Sequence, residues 1–195
     1  SPGNPMMDGI ANTECPKDFK KDRRLMLLCG SRLPEAYRNF KELLIAIQLI
    51  QISSSIAVFV PLSSSLMEKQ IRLILINLGF KSTYQSKLDL GISDIWKKDS
   101  LLIFIGFNQF SSWAKWGEVG VANAGTATEQ LVGLGIPCVS IPGKGPQFNF
   151  NFAKRQSRLL GGAVAIAQGY ETFAKHVGFL LNSDFDREII GLRGS

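Results

Sequence analysis

Residues Gly117–Gln147, GEVGVANAGTATEQLVGLGIPCVSIPGKGPQ, are the stretch from which the fold is read. Val119–Ala122 is a short apolar strand, and Asn123-Ala-Gly-Thr126 is a turn of small residues. Thr126–Leu134 has helical spacing, Gly135 fits the position just past a helix end, and Pro137–Ile141 is a second strand. A tight turn of this kind leaves backbone N–H groups at the positive end of a helix dipole, which suits a phosphate. The same pattern also suits an ordinary strand–helix junction packed with small residues.

The alternation extends in both directions. Upstream, Arg24–Cys29 (RLMLLC) is a buried strand ending at Gly30. A helix is predicted from Tyr37 to about Gln51, with Phe40, Leu43, Leu44, Ile47 and Ile50 on one face and Pro34 in its first turn. Ile56–Pro61 is a further strand. Ser65-x-x-Glu68 has the form of a capping box opening a helix with Met67, Ile71, Ile74, Leu75 and Leu78 inward, stopped at Gly79. Phe80–Lys98 reads as loops with one short edge strand. Leu101–Gly106 is a strand and Asn108–Trp116 a short helix. Downstream, Phe152–Leu160 is helical, Ala163–Ala167 a last strand and Glu171–Leu181 a last helix, with no element expected after it.

Strands alternating with helices in this way predict an α/β domain: a Rossmann-like parallel sheet with helices on both faces. Ligands of such sheets bind beyond the carboxyl ends of the strands. Gly30-Ser-Arg32, Asn123–Thr126 and Gly143–Gln147 all follow strands and are expected on that one edge. Arg32 offers a permanently charged clamp for phosphate, with a surface salt bridge as the plain alternative. Ser31, Thr126 and Thr128 offer hydroxyls, and Glu129 or Gln130 could accept from ribose, Glu129 equally serving its own helix N-terminus. Together these suggest a nucleoside diphosphate.

Other chemistry finds little support. No G-x-G-x-x-G follows the first strand and no G-x-x-x-x-G-K-[ST] is present. Asp184-Phe-Asp186 reads as a helix stop rather than a metal-binding D-x-D, and His176, the only histidine, lies on the last predicted helix. No Ser-His-Asp or Cys-His arrangement can be placed on the edge. Cys15, Cys29 and Cys138 are too dispersed for a zinc site and are expected as reduced thiols of a cytoplasmic protein. A hydrophobic content of 45% over 195 residues is ample for a core, with no run long enough to span a membrane. Ser1-Pro-Gly-Asn-Pro5 shows no secretory leader pattern. The net charge of +6 is compatible with nucleic acid, an anionic membrane surface or an anionic substrate. Phe148, Phe150 and Phe152, followed by Lys154, Arg155 and Arg158, could meet a lipid headgroup region or simply pack inward. Residues 1–23 are polar and rich in Gly, Pro and Lys and are expected as a linker, leaving 24–195 as the domain and implying a further domain upstream.

Three segments resemble a known family. Gly3-Asn-Pro-Met-Met-Asp8, Leu28-Cys-Gly-Ser-Arg-Leu-Pro-Glu35 and Ala124-Gly-Thr-Ala-Thr-Glu-Gln130 resemble, in order, the linker, G-S-R-x-x-E and G-T-A-T motifs of the bacterial lipid-A-disaccharide synthases. The likeness is nearest to the synthase-like proteins of cyanobacteria. It implies the C-terminal, donor-binding half of a GT-B glycosyltransferase that inverts the anomeric centre, needs neither metal nor cofactor, and works at the cytoplasmic face of the membrane. It implies a UDP-sugar donor, a glycolipid acceptor held by an N-terminal domain that also carries the base, and no nucleic acid. Ser31 and Arg32 would then meet the diphosphate, with Gly125, Thr126 and Thr128 beside it, and Glu129 would meet the ribose; Gly30 and Asn123 are further expected substrate-binding residues. In the better-known synthases one residue separates the last Thr from the Glu, and one helical position is about 100° of rotation. Gln130 is therefore an equal candidate for the ribose. Pro142–Gln147 instead resembles the donor loops of the peptidoglycan N-acetylglucosaminyl transferases, which would bring Gln147 to the sugar. A UDP-sugar epimerase and a non-catalytic module binding anionic lipid or nucleic acid are the alternatives.

Overall fold

The apolar runs of the sequence become the middle of one sheet. The computed structural model describes residues 9–83, 90–142 and 150–193. Its strands are β1 (Arg23–Leu28), β2 (Ile56–Leu62), β3 (Lys81–Ser82), β4 (Asp94–Lys98), β5 (Leu101–Phe107), β6 (Val119–Ala122), β7 (Cys138–Ser140) and β8 (Val164–Ile166). Its helices are α1 (Glu35–Ile47), α2 (Glu68–Asn77), α3 (Phe110–Trp113), α4 (Thr126–Gly133), α5 (Phe150–Leu159), α6 (Tyr170–Asn182) and α7 (Asp184–Leu192).

The strand order is β3-β4-β5-β2-β1-β6-β7-β8. β1 pairs in parallel with β2 and with β6, β2 with β5, β6 with β7, and β7 with β8. Side chains alternate across the sheet, as the two-residue period of a strand requires. Leu25 and Leu27 join Phe40, Leu43, Phe173 and Val177 of α1 and α6 on one face. Met26 and Leu28 join Phe59, Phe104, Trp113 and Trp116 on the other. Phe19 closes that second cluster, its ring 4.9 Å from Phe104 and 5.2 Å from Phe59. Each such buried phenylalanine contributes roughly 1.5–3 kcal/mol. The segment from Gly9 to Asp22, expected as linker, thus lies against the sheet: Phe19 and Asp22 are each 4% exposed.

Several elements differ from their sequence-based expectation. The sheet carries an antiparallel edge, because β4 returns directly into β5 and also pairs antiparallel with β3. The turn between them is only Asp99-Ser100, with Asp99 at φ +51°, too short for the crossover a parallel pair needs. α1 starts at Glu35 and ends at Ile47; the apolar period runs on to Ile50 because that residue still packs on the core from the following turn. The capping box at Ser65 does not form. Ser65–Met67 is a 3-10 turn, and Met67 caps α2 without a side-chain hydrogen bond. The expected Asn108–Trp116 helix splits into α3 and a 3-10 turn, Ala114–Trp116.

The described residues also end in a helix that the sequence reading lacks. Asp184-Phe-Asp186 starts α7 rather than stopping α6: Ser183 is the N-cap, its Oγ accepting from Asp186 N at 3.2 Å.

Candidate functional site

From β1 at the sheet centre the chain passes through β2 to the edge strand β3, comes back inward through β4 and β5, and then crosses to the opposite side of β1 as β6. The order reverses between β1 and β6, and an open sheet has its natural binding crevice at that point, beyond the strands' carboxyl ends. A cleft of about 780 Å³ occupies this place. That is within the few hundred to roughly 1,000 Å³ usual for small-molecule sites.

One wall is the loop after β1. Gly30 takes φ +87°, a conformation costly for any side chain, and it turns the chain so that Ser31 and Arg32 line the cleft. Arg32 is exposed, and the ion pairs among the described residues use Arg23, Arg24, Arg72 and Arg187 instead. A second wall is the loop after the neighbouring strand β6, with Asn123, Ala124, Gly125, Thr126 and Ala127. α4 starts at Thr126, so the positive end of its dipole forms part of this wall. α1 adds its own amino-terminal turn through Glu35 and Ala36.

The residues expected at the site divide three ways. Gly30, Ser31, Arg32, Asn123, Gly125, Thr126 and Gln130 line the cleft. Glu129 does not line it, so the helical rotation favours Gln130 over Glu129 for this face. Thr128 is fully buried and its hydroxyl donates to Ala124 O at 2.7 Å, which removes it from the cleft. That bond is a local one, the side chain returning to the carbonyl four residues back. Gln147 lies outside the described residues, as do Gly143-Lys-Gly145, Phe148 and the Gly3–Asp8 motif.

The floor holds two asparagines. Asn123 is 3% exposed; its Oδ1 accepts from Ile141 N at 3.1 Å. Asn39 of α1, which the sequence reading does not single out, is 6% exposed and lines the cleft. Its signal is present in the sequence: a lone polar residue on the buried face that carries Ala36, Phe40 and Leu43. Ser63, Asn108, Phe110 and Ser111, beyond β2 and β5, also line the cleft and are not among the site residues expected from the sequence. Cys29 borders the cleft as well, but burial pushes its thiol up to about 12, so it is protonated at neutral pH. His176 is exposed on α6 and takes no part in the cleft.

The arrangement sets an arginine and a helix N-terminus in the lining of one concave site, which suits an anionic ligand. No family model matches the sequence, and no curated protein does. Solved structures do match in fold, and they define its class: a Rossmann-like domain of the GT-B kind. A Listeria monocytogenes protein assigned as a UDP-N-acetylglucosamine 2-epimerase aligns with TM-score 0.61 at 10% identity, over 96% of this chain and 45% of its own. ALG13 aligns with TM-score 0.58 at 11% identity, over 80% of this chain and 84% of its own. The spinosyn rhamnosyltransferase SpnG aligns with TM-score 0.54 at 15% identity, over 94% of this chain and 44% of its own. The chain therefore spans less than half the length of the epimerase and the rhamnosyltransferase.

Proposed function

We propose that this domain is the donor half of an inverting glycosyltransferase that resembles lipid-A-disaccharide synthase and transfers an (acyl)glucosamine from UDP to a glycolipid. The observation that supports the reading is that Arg32 and the first turn of α4 line one cleft at the switch point. As the glycosidic bond breaks, negative charge develops on the departing diphosphate. Arg32 and the helix dipole neutralise it, the part a metal ion plays in other transferases. Gln130 accepts from the ribose, and the loop bearing Gln147 meets the sugar. The acceptor and the catalytic base belong to a second domain, and the work is done at the cytoplasmic face of the membrane. No helix of the described residues is long and apolar enough to cross that membrane. Lys154, Arg155 and Arg158, exposed along α5, are the groups that would meet anionic headgroups.

Titration calorimetry with UDP and with NAD tests the reading. The domain is expected to bind UDP weakly, to ignore NAD and to turn nothing over alone; preference for NAD, or no binding of either, removes it. Arg32→Ala should weaken UDP binding by about 1.5–3 kcal/mol, the worth of a charged hydrogen bond. An unchanged affinity takes that role from Arg32.

The Listeria likeness supports a second reading, a UDP-sugar epimerase. The two separate in the two-domain protein supplied with UDP-N-acetylglucosamine and no acceptor. An epimerase inverts C2 of the intact nucleotide sugar, whereas a transferase leaves C2 unchanged.

A further inference from the structure

Asn39 reaches from α1 to the carboxyl ends of two neighbouring strands. Its Nδ2 donates to Cys29 O at 3.1 Å and to Asn123 O at 3.3 Å. Both partners are carbonyls, so only the amino group of the side-chain amide can face them, and the orientation of the amide is fixed. Cys29 leads into the Gly30-Ser31-Arg32 wall, and Asn123 leads into the Gly125-Thr126 wall. The brace continues beyond these two. Asn123 Oδ1 accepts from Ile141 N, just past β7, and Asn123 N donates to Leu28 O at 2.9 Å. One donor on α1, itself only 6% exposed, therefore ties the two walls together just past the last rung of the β1–β6 ladder.

We propose that Asn39 is a positioning residue of the cleft: by holding Cys29 O and Asn123 O together it fixes the Ser31-Arg32 loop relative to the α4 N-terminus, where a diphosphate would bind. The proposal rests on the nucleotide-sugar reading for its ligand but not for its geometry. A methyl group could fill the same volume; only a donor can hold two carbonyl oxygens, which otherwise repel one another.

Asn39→Asp tests this because it preserves shape and exchanges the donor for an acceptor. Ionised, the introduced carboxylate would face two carbonyl oxygens; protonated, it can donate to one of them. Burial and those carbonyls raise its pKa above that of a free carboxylate. The other titratable groups lining the cleft, Cys29, Arg32 and Glu35, are common to the wild type, so the ratio of the two affinities isolates position 39. UDP should bind the variant about ten-fold more weakly than wild type near pH 8, the gap closing to about three-fold near pH 5. A gap that does not change with pH, or no gap near pH 8, overturns the proposal.

Amide hydrogen exchange without ligand supplies the independent readout. The variant should lose protection near pH 8 in the 29–33 and 122–127 segments together, with β8 and α6 unchanged. Loss spread over the whole sheet would mean a general packing role and would also overturn the proposal. Should the charged variant not fold, Asn39→Ser, smaller and uncharged, leaves a hydroxyl that can reach at most one of the two carbonyls. It should weaken UDP about three-fold and loosen the same two segments; wild-type affinity with wild-type protection would overturn the brace. Should wild type fail to bind UDP while the two segments still loosen together in the variant, the brace stands and the ligand assignment is what fails.

Discussion

Thr126 and Thr128 sit two positions apart on α4, about 200° of rotation, and the helix sends them to different environments. Thr126 is exposed at the cleft, whereas the hydroxyl of Thr128 is spent on Ala124 O beneath it. Thr128→Val keeps the shape and leaves that carbonyl without its donor. It should lower the unfolding free energy by about 1–2 kcal/mol in urea titration. UDP affinity should hold, while Thr126→Val should leave stability alone and weaken UDP. If Thr128→Val instead reduces affinity at constant stability, the hydroxyl reaches the ligand and the assignment of roles within the turn is reversed. Rotation likewise separates Glu129 from Gln130, and only the latter lines the cleft. Cys29 shows how location alone is insufficient: it borders the cleft, yet a thiol held up to about 12 by burial carries no nucleophilic charge at neutral pH.

Among the elements, α7 depends on Ser183, whose Oγ caps Asp186 N while Asp184 and Asp186 place negative charge in the first turn. Ser183→Ala should cost about 1 kcal/mol of stability, read from the urea midpoint at unchanged m-value, because α7 packs through few buried side chains. A loss well under half of that would show that α7 is held by Arg187 instead, which donates to the carbonyls of Leu180 and Leu181. Asp184-Phe-Asp186 reads as a stop in the sequence because acidic residues break and begin helices alike; the serine just before them decides which. Ser65 misleads in the opposite sense, since the capping-box spacing is present and the chain makes a 3-10 turn instead. The central strands and the junction at Asn123–Thr126 are legible because continuous apolar runs and a small-residue turn admit few interpretations. β3 and β4 are not: their paired edge depends on the tight turn at Asp99, and neither strand shows a clean two-residue period. The cleft walls are legible from the rule that ligands gather past strand ends. The Asn39 brace is not, since a polar residue on an inward helix face does not state its partner.

At the scale of the molecule, the two rims of the sheet carry different burdens. The carboxyl rim holds the cleft. At the amino rim, the Glu118 side chain is 11% exposed and gathers three arginines: Oε1 lies 3.0 Å from Arg23, 3.2 Å from Arg187 and 3.5 Å from Arg24. Its Oε2 accepts from Arg24 N at 2.8 Å, so one carboxylate ties the starts of β1 and β6 to α7. Glu118→Gln removes the buried carboxylate shared by three partly buried guanidinium groups, leaving the exposed Asp184 to pair with Arg23 and Arg187. Breaking such a group from one side should cost about 2–4 kcal/mol, below the value for a fully buried pair because Arg23 is 30% exposed. The strand lengths separate this cluster from Arg32, so UDP affinity of the folded fraction should not change. Combining Glu118→Gln with Arg32→Ala should then leave each loss at its single-variant value, in stability and in affinity, within about 0.5 kcal/mol, the tolerance of independent sites. A coupling beyond that, measured by urea titration and calorimetry on both single variants and the double, would show that the sheet transmits strain between its rims and that the ligand site is not held by its own loops alone.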